Sequence, residues 1–298
     1  LPPNTRLGSD YEVKEKIGAG GLATVYAARH LVSGETRALK VARPDPRAEV
    51  ALRAEHDVLK GGKLGHPNIV KAIDITSIVP DRKTLILERV RGEPLSERLK
   101  AGTISAEERR QYAEHLLAAL DHLEQVGVIH KDIKPDNLVV GPDGLTLIDF
   151  SLAGEPADAT LVGTALYRDP ALARWSPVAD RFAAALCLFE LYVGRHAFDG
   201  QVPFPGDQPH VDAQDFDRPA LAEFFRKALG PSPAQRFPSA AAMRAGLLNA
   251  LGARLDVSEP PSPRPNLSTT GQSPLSATTL SGTSLAVLRR AGITTQGA

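Results

Sequence analysis

Over the first ninety residues apolar side chains come in short runs with polar partners between them. Residues 11–13, 24–28, 37–41, 69–73 and 85–88 are rich in Val, Ile, Leu, Tyr and Ala and read as half-buried β-strands. One stretch breaks that rhythm. In residues 46–60 the apolar positions Val50, Ala51, Ala54, Val58 and Leu59 recur at helical spacing, which predicts one helix with that face buried. The pattern is that of a small antiparallel sheet carrying a single helix. From Leu95 onward the helical period dominates. Residues 105–125 open with Ser105 and Glu108, the form of a capping box, and further helices are predicted over 180–193, 219–229 and 239–251. The fold class is therefore α+β, with a small β-rich part over residues 8–90 and a larger helical part over 91–255. After Leu255 the pattern fails. Pro, Ser and Thr take over (Ser258, Pro260, Pro261, Ser262, Pro263, Pro265), too polar to build a core, so residues 256–274 are predicted to be an extended linker. There is no internal repeat.

Composition narrows the partners. The 298 residues carry 35 Lys plus Arg and 35 Asp plus Glu, so no basic excess draws the chain as a whole to nucleic acid. The one cysteine, Cys187, sits in the apolar run 182–189 and reads as buried packing, compatible with a reducing cytoplasm. No apolar run reaches the roughly 18 residues that span a bilayer, and no leader pattern opens the chain. A cytoplasmic protein without a membrane partner is expected. The chain starts Leu1-Pro2-Pro3 and stops at Gly297-Ala298, which suggests a piece of a longer protein with neighbouring domains.

The chemistry concentrates in Ile129-His130-Lys131-Asp132-Ile133-Lys134-Pro135-Asp136-Asn137-Leu138-Val139 and in Leu145-Thr146-Leu147-Ile148-Asp149-Phe150. Two acids (Asp132, Asp149), an amide (Asn137) and an amine (Lys134) stand where they can converge on a metal-bound nucleotide and a hydroxyl. This resembles the catalytic loop and metal loop of the eukaryotic-like Ser/Thr protein kinases, with Lys131 in place of the family arginine and Ser151 in place of the family glycine. The resemblance covers nearly all of residues 8–255. It implies a two-lobed kinase fold and transfer of the ATP γ-phosphate, with Mg2+, to a Ser or Thr hydroxyl. Asp132 would accept or orient that hydroxyl, Lys134 would neutralise the transferring phosphoryl group, and Asn137 and Asp149 would hold the metal. His130 matches a structural histidine packed with Phe150 and Leu59 rather than a general base.

The same resemblance assigns the rest of the cleft. Gly18 and Gly20, in Ile17-Gly18-Ala19-Gly20-Gly21-Leu22-Ala23, would bring backbone N–H groups to the phosphates, with Ala23 where a third glycine is usual. Lys40 would contact the α- and β-phosphates and pair with Glu55, or with Glu49 as the alternative. Ile17, Val25, Ala38, Leu87 and Val139 would enclose adenine, and the backbone of Glu88 and Val90 would bond its edge. Thr164 in Gly163-Thr164-Ala165-Leu166-Tyr167 would bond toward Asp132 and Lys134, which favours protein Ser/Thr acceptors. The family Ala-Pro-Glu segment becomes Asp169-Pro170-Ala171 here, so Arg236 needs another acid, for which Asp169 is the candidate, or a more exposed place. Asp180 would anchor the catalytic loop. Lys131 keeps a charge able to meet a loop phosphate, and Ser151 adds a Cβ in the metal loop. The loop 152–161 is short, with Thr160 as its acceptor, and little dependence on loop phosphorylation is expected.

Residues 275–298 resemble the opening of a helix-hairpin-helix module such as the C-terminal one of the RNA polymerase α subunit. That implies a multidomain bacterial kinase, of the kind found in phage-growth-limitation defence, with nucleic acid a partner only through this segment. Protein substrates, the chain itself among them, are the expected partners otherwise. Two rival readings are a nucleotide-binding pseudokinase that serves neighbouring domains as a scaffold, and a small-molecule kinase of the aminoglycoside type.

Overall fold

The computed structural model describes residues 1–60, 64–102, 104–153 and 163–252. Thr160, the 256–274 linker and the 275–298 segment lie outside the described residues. The chain separates into one unit over Leu1–Leu255 and another over Asp256–Ala298.

Six antiparallel strands form the first lobe: β1 (Arg6–Leu7), β2 (Tyr11–Ala19), β3 (Ala23–His30), β4 (Thr36–Ala42), β5 (Ala72–Val79) and β6 (Arg82–Glu88), in the order β1-β2-β3-β4-β6-β5. Helix α1 (Pro46–Lys60) interrupts them. It forms where expected, but a different face is buried. Ala48, Ala51, Leu52, Glu55 and Leu59 point inward, while Val50 is 67% exposed and Ala54 and Val58 are half-buried. The stripe runs through Glu55 because that carboxylate has a buried cationic partner, so counting only apolar residues rotates the helix the wrong way.

The strand expected at 69–73 begins at Ala72 and runs to Val79. Asn68 to Val70 instead pair with the second lobe: the Val70 N–H donates to the Leu147 carbonyl at 3.0 Å and the Leu147 N–H to the Asn68 carbonyl at 2.8 Å. This seam joins the lobes behind the cleft.

Strands β7 (Glu93–Pro94), β8 (Leu138–Gly141) and β9 (Gly144–Leu147) form a small sheet, and α2 (Leu95–Ala101), α3 (Ala106–Val126), α4 (Pro177–Val193), α5 (Pro219–Ala228) and α6 (Ala240–Ala250) build the helical lobe. The capping box is present: the Glu108 N–H donates to Ser105 Oγ and the Ser105 N–H to Glu108 Oε2. Helix α4 is buried almost all round, Cys187 included, which is why residues 182–189 are continuously apolar. Leaving the first lobe, the chain passes so close to β8 that a Cβ on Gly92, at φ +131°, would stand 2.1 Å from the Val140 carbonyl oxygen. Only glycine fits there. Among the described residues no helix is long and apolar enough to cross a membrane.

Candidate active site

The cleft lies between the lobes. Lys40 projects from β4, a buried strand that leaves the ammonium one polar direction, into the cleft. Its Nζ lies 2.6 Å from Glu55 Oε2 on α1 and 2.7 Å from Asp149 Oδ1 after β9. Glu49 makes no such contact. Burial works against the Lys40 charge, but the two carboxylates outweigh it and hold its pKa above the ordinary lysine value. Burial likewise opposes the Asp149 charge, and Lys40 overcomes it, so that carboxyl is lowered to about 2. Asp149 has φ +63°, a left-handed backbone that aims its carboxylate into the cleft while Phe150 is fully buried beneath it.

Asp132 is held on both oxygens. Oδ1 accepts from the Thr164 N–H at 3.0 Å and from Thr164 Oγ1 at 2.9 Å. Oδ2 accepts from Asn137 Nδ2 at 3.0 Å and lies 2.8 Å from Lys134 Nζ, which also donates to Thr164 Oγ1 at 2.8 Å. Asn137 donates again to the Asp132 carbonyl at 2.7 Å. Its Nδ2 is thereby used up and Oδ1 has no protein partner among the described residues. Asp149 shows the same division, with Oδ1 held by Lys40 and by the Ser151 N–H at 3.4 Å and Oδ2 left over. These leftover oxygens suit a hard cation that binds through one or two protein oxygens plus substrate phosphates. Among the described residues no group of three His, Cys, Asp or Glu is placed to hold a metal on its own.

His130 is fully buried and meets Phe150 edge-on, centroids 4.6 Å apart. Burial lowers its pKa. The neutral ring fits both bonds: Nε2 donates to the Ile148 carbonyl at 3.1 Å and Nδ1 accepts the Asp132 N–H at 3.3 Å. Leu59 lies in the same core as Phe150. Asp180, at the start of α4, accepts the N–H of His130 at 2.6 Å and of Lys131 at 3.0 Å. Burial drives its carboxyl up to about 7, the two N–H donors only partly resisting. Between pH 3.8 and about 7 the folded chain holds a proton there that the unfolded chain has released, so this group's stabilisation fades as pH rises through that window. An Asp180→Asn variant is expected to show a flatter fall in urea stability from pH 4 to pH 7 than the wild type; parallel curves would remove Asp180 as the source.

The apolar end of the cleft is lined by Ile17, Val25, Ala38, Leu87 and Val139 with Glu88 and Val90, and also by Val70, Ile148 and Arg89. The Glu88 N–H is already committed to the Lys71 carbonyl at 3.0 Å. Gly18, Gly20 and Gly21 line the other end, toward Lys40, Asp132 and Asp149. Nothing in the protein demands glycine there: a Cβ on Gly18 or Gly20 would meet only ordinary contacts and one on Gly21 would meet nothing within 4 Å. Room for a phosphate chain against the backbone is what the glycines leave.

Lys131, Ser151 and Arg236 each have a defined place. Lys131 is buried, 2% exposed, and most of the loop it was expected to meet lies outside the described residues. Ser151 is not in the left-handed region, so its Cβ carries no backbone penalty. Arg236 takes Asp169, the acid expected for it, rather than a more exposed place: Nη1 pairs with Oδ2 and Nη2 with Oδ1 at 3.2 Å. One partly buried bond has no counterpart among the sequence expectations, Tyr167 Oη donating to Glu190 Oε1 at 2.8 Å, where burial raises the Glu190 carboxyl to about 7.

Comparison with known proteins agrees with this geometry. The protein kinase domain model matches residues 11–237. A probable serine/threonine-protein kinase of Corynebacterium efficiens is 30% identical over 81% of this chain and 41% of its own length. The serine/threonine-protein kinase PrkC of Bacillus subtilis is 28% identical over 83% of this chain and 41% of its own, and the probable kinase PglW of Streptomyces coelicolor 31% over 80% and 18%. This chain thus spans well under half of these relatives. The kinase domain of PknI from M. tuberculosis superposes with a TM-score of 0.66 at 24% identity, covering 85% of this chain and 99% of that one. The chain belongs to the protein kinase family, with relatives among the Ser/Thr kinases of bacteria.

Proposed function

We propose that residues 8–255 transfer the γ-phosphate of ATP to Ser or Thr hydroxyls of proteins, this chain among them. Residues 256–274 would link that unit to a docking module beginning near 275. The observation that carries the reading is the division of labour in the cleft. Lys40 is fixed by Glu55, Asp132 is fixed by Thr164 and Asn137, and Asn137 and Asp149 each keep one oxygen for a cation. Lys40 is placed for phosphate oxygens, Asp132 orients the acceptor hydroxyl and takes its proton, and Lys134 faces the charge on the moving group. Asn137 and Asp149 would hold magnesium, which would supply positive charge against the phosphates. The contact of Thr164 with both Asp132 and Lys134 favours a peptide acceptor over a small metabolite.

Ser151 in place of the family glycine is no argument for the scaffold alternative, because the backbone there does not need glycine. Incubation of the purified chain with radiolabelled ATP, Mg2+ and a generic protein substrate is expected to yield phosphoserine and phosphothreonine. Mg–ATP binding without labelled protein would favour the scaffold, and label appearing only on a small metabolite would favour the aminoglycoside-type reading.

A further inference from the structure

Beside Asn137 Oδ1 and Asp149 Oδ2, a third oxygen in the cleft lacks a protein partner among the described residues. It is the hydroxyl of Ser151. Ser151 lines the same cleft as Asp132, Lys134, Asn137 and Asp149, is half-buried, and among the described residues has only its N–H engaged, by Asp149 Oδ1 at 3.4 Å. The resembling family carries glycine here, which supplies no side-chain oxygen. This chain gains one, and gains it without backbone strain, because Ser151 is outside the left-handed region that Asp149 occupies at +63°. The two residues also act on each other: the Ser151 N–H helps Lys40 fix Oδ1, which leaves Oδ2 for the cation.

A hydroxyl is a hard oxygen of the type Mg2+ and Mn2+ accept alongside carboxylate and amide. We propose that Ser151 is a positioning residue for the divalent cation, its Oγ adding a third protein oxygen to the shell begun by Asn137 and Asp149. With only two protein oxygens the cation depends on nucleotide phosphates and water for the remainder, so a third should tighten its hold. The inference rests on the metal-assisted reading of this cleft.

The experiment is a Mn2+ titration followed by electron paramagnetic resonance, on the full chain saturated with a non-hydrolysable ATP analogue. Wild type is compared with Ser151→Ala, Ser151→Gly and Ser151→Thr. Ala and Gly are expected to weaken Mn2+ about tenfold, with Thr returning to within about twofold of wild type. Affinity for the analogue without metal, read by fluorescence, should be equal in all four. Equal Mn2+ affinity throughout overturns the role of Ser151 and leaves the phosphoryl-transfer reading standing. Loss of metal-free analogue affinity in Ala and Gly overturns the cation assignment in favour of a phosphate contact. A wild type that takes up no Mn2+ with the analogue bound overturns both.

Discussion

Replacing Asp132 by asparagine is expected to slow phosphoryl transfer by about 10²- to 10⁴-fold, the range for loss of a positioned proton acceptor, with little change in nucleotide affinity. The geometry sharpens the expectation. Both Asp132 oxygens accept, from Thr164 on one side and from Asn137 and Lys134 on the other. An amide turns one acceptor into a donor, so whichever way the substituted side chain sits, an N–H faces an N–H or an ammonium. Proton affinity and position are lost together. Initial rates at saturating Mg–ATP, with binding of a fluorescent nucleotide measured alongside, check this. A variant within about threefold of the wild-type rate would show that Asp132 does not serve the acceptor hydroxyl.

Asp169→Ala is expected to cost about 3–5 kcal/mol of stability, the penalty for orphaning one member of a buried ion pair. The Asp169 and Arg236 side chains are 1% and 3% exposed. The Arg236 guanidinium also lies 4.5 Å over the Phe182 ring and donates from Nε to the Gly230 carbonyl at 2.6 Å, so it cannot swing out to water without undoing the floor of the helical lobe. Removing the charge at both ends is a different experiment. An Asp169→Leu, Arg236→Met double variant should recover much of the loss, because apolar packing can replace a buried pair that no longer has to be desolvated. Urea midpoints and slopes for the three proteins decide it. An Ala variant losing less than about 1 kcal/mol would mean that the arginine finds other compensation.

What could be read from the residues follows a physical division. Helix α3 was legible because its period and its cap are both local, Ser105 and Glu108 lying within one turn. The polar residues of the cleft were legible for the same reason: Asp132, Lys134 and Asn137 share one short segment, and Asp149 follows just after the next strands. Errors arose where a distant partner decides. Glu55 is buried by Lys40, so the apolar face of α1 was misread. Ile69 and Val70 looked like the start of a strand and are instead joined to Leu147 in the other lobe. Val70 and Ile148 line the cleft only because of that seam, and Glu190 meets Tyr167 only once α4 is in place. The substitution at Ala171 pointed to another acid for Arg236, and Asp169, two residues earlier, is the one it meets.

The pairing of one lysine with two carboxylates has a bearing on what can enter the cleft. Lys40, Lys134 and Arg89 bring three positive charges to a cleft also lined by Glu55, Glu88, Asp132, Asp136 and Asp149, five groups of opposite sign. Such a chamber repels a bare polyphosphate and welcomes one that arrives with its own counter-ion. Inhibition by excess metal-free ATP should therefore be feeble, and nucleotide is expected to enter already carrying its metal, as charge balance favours.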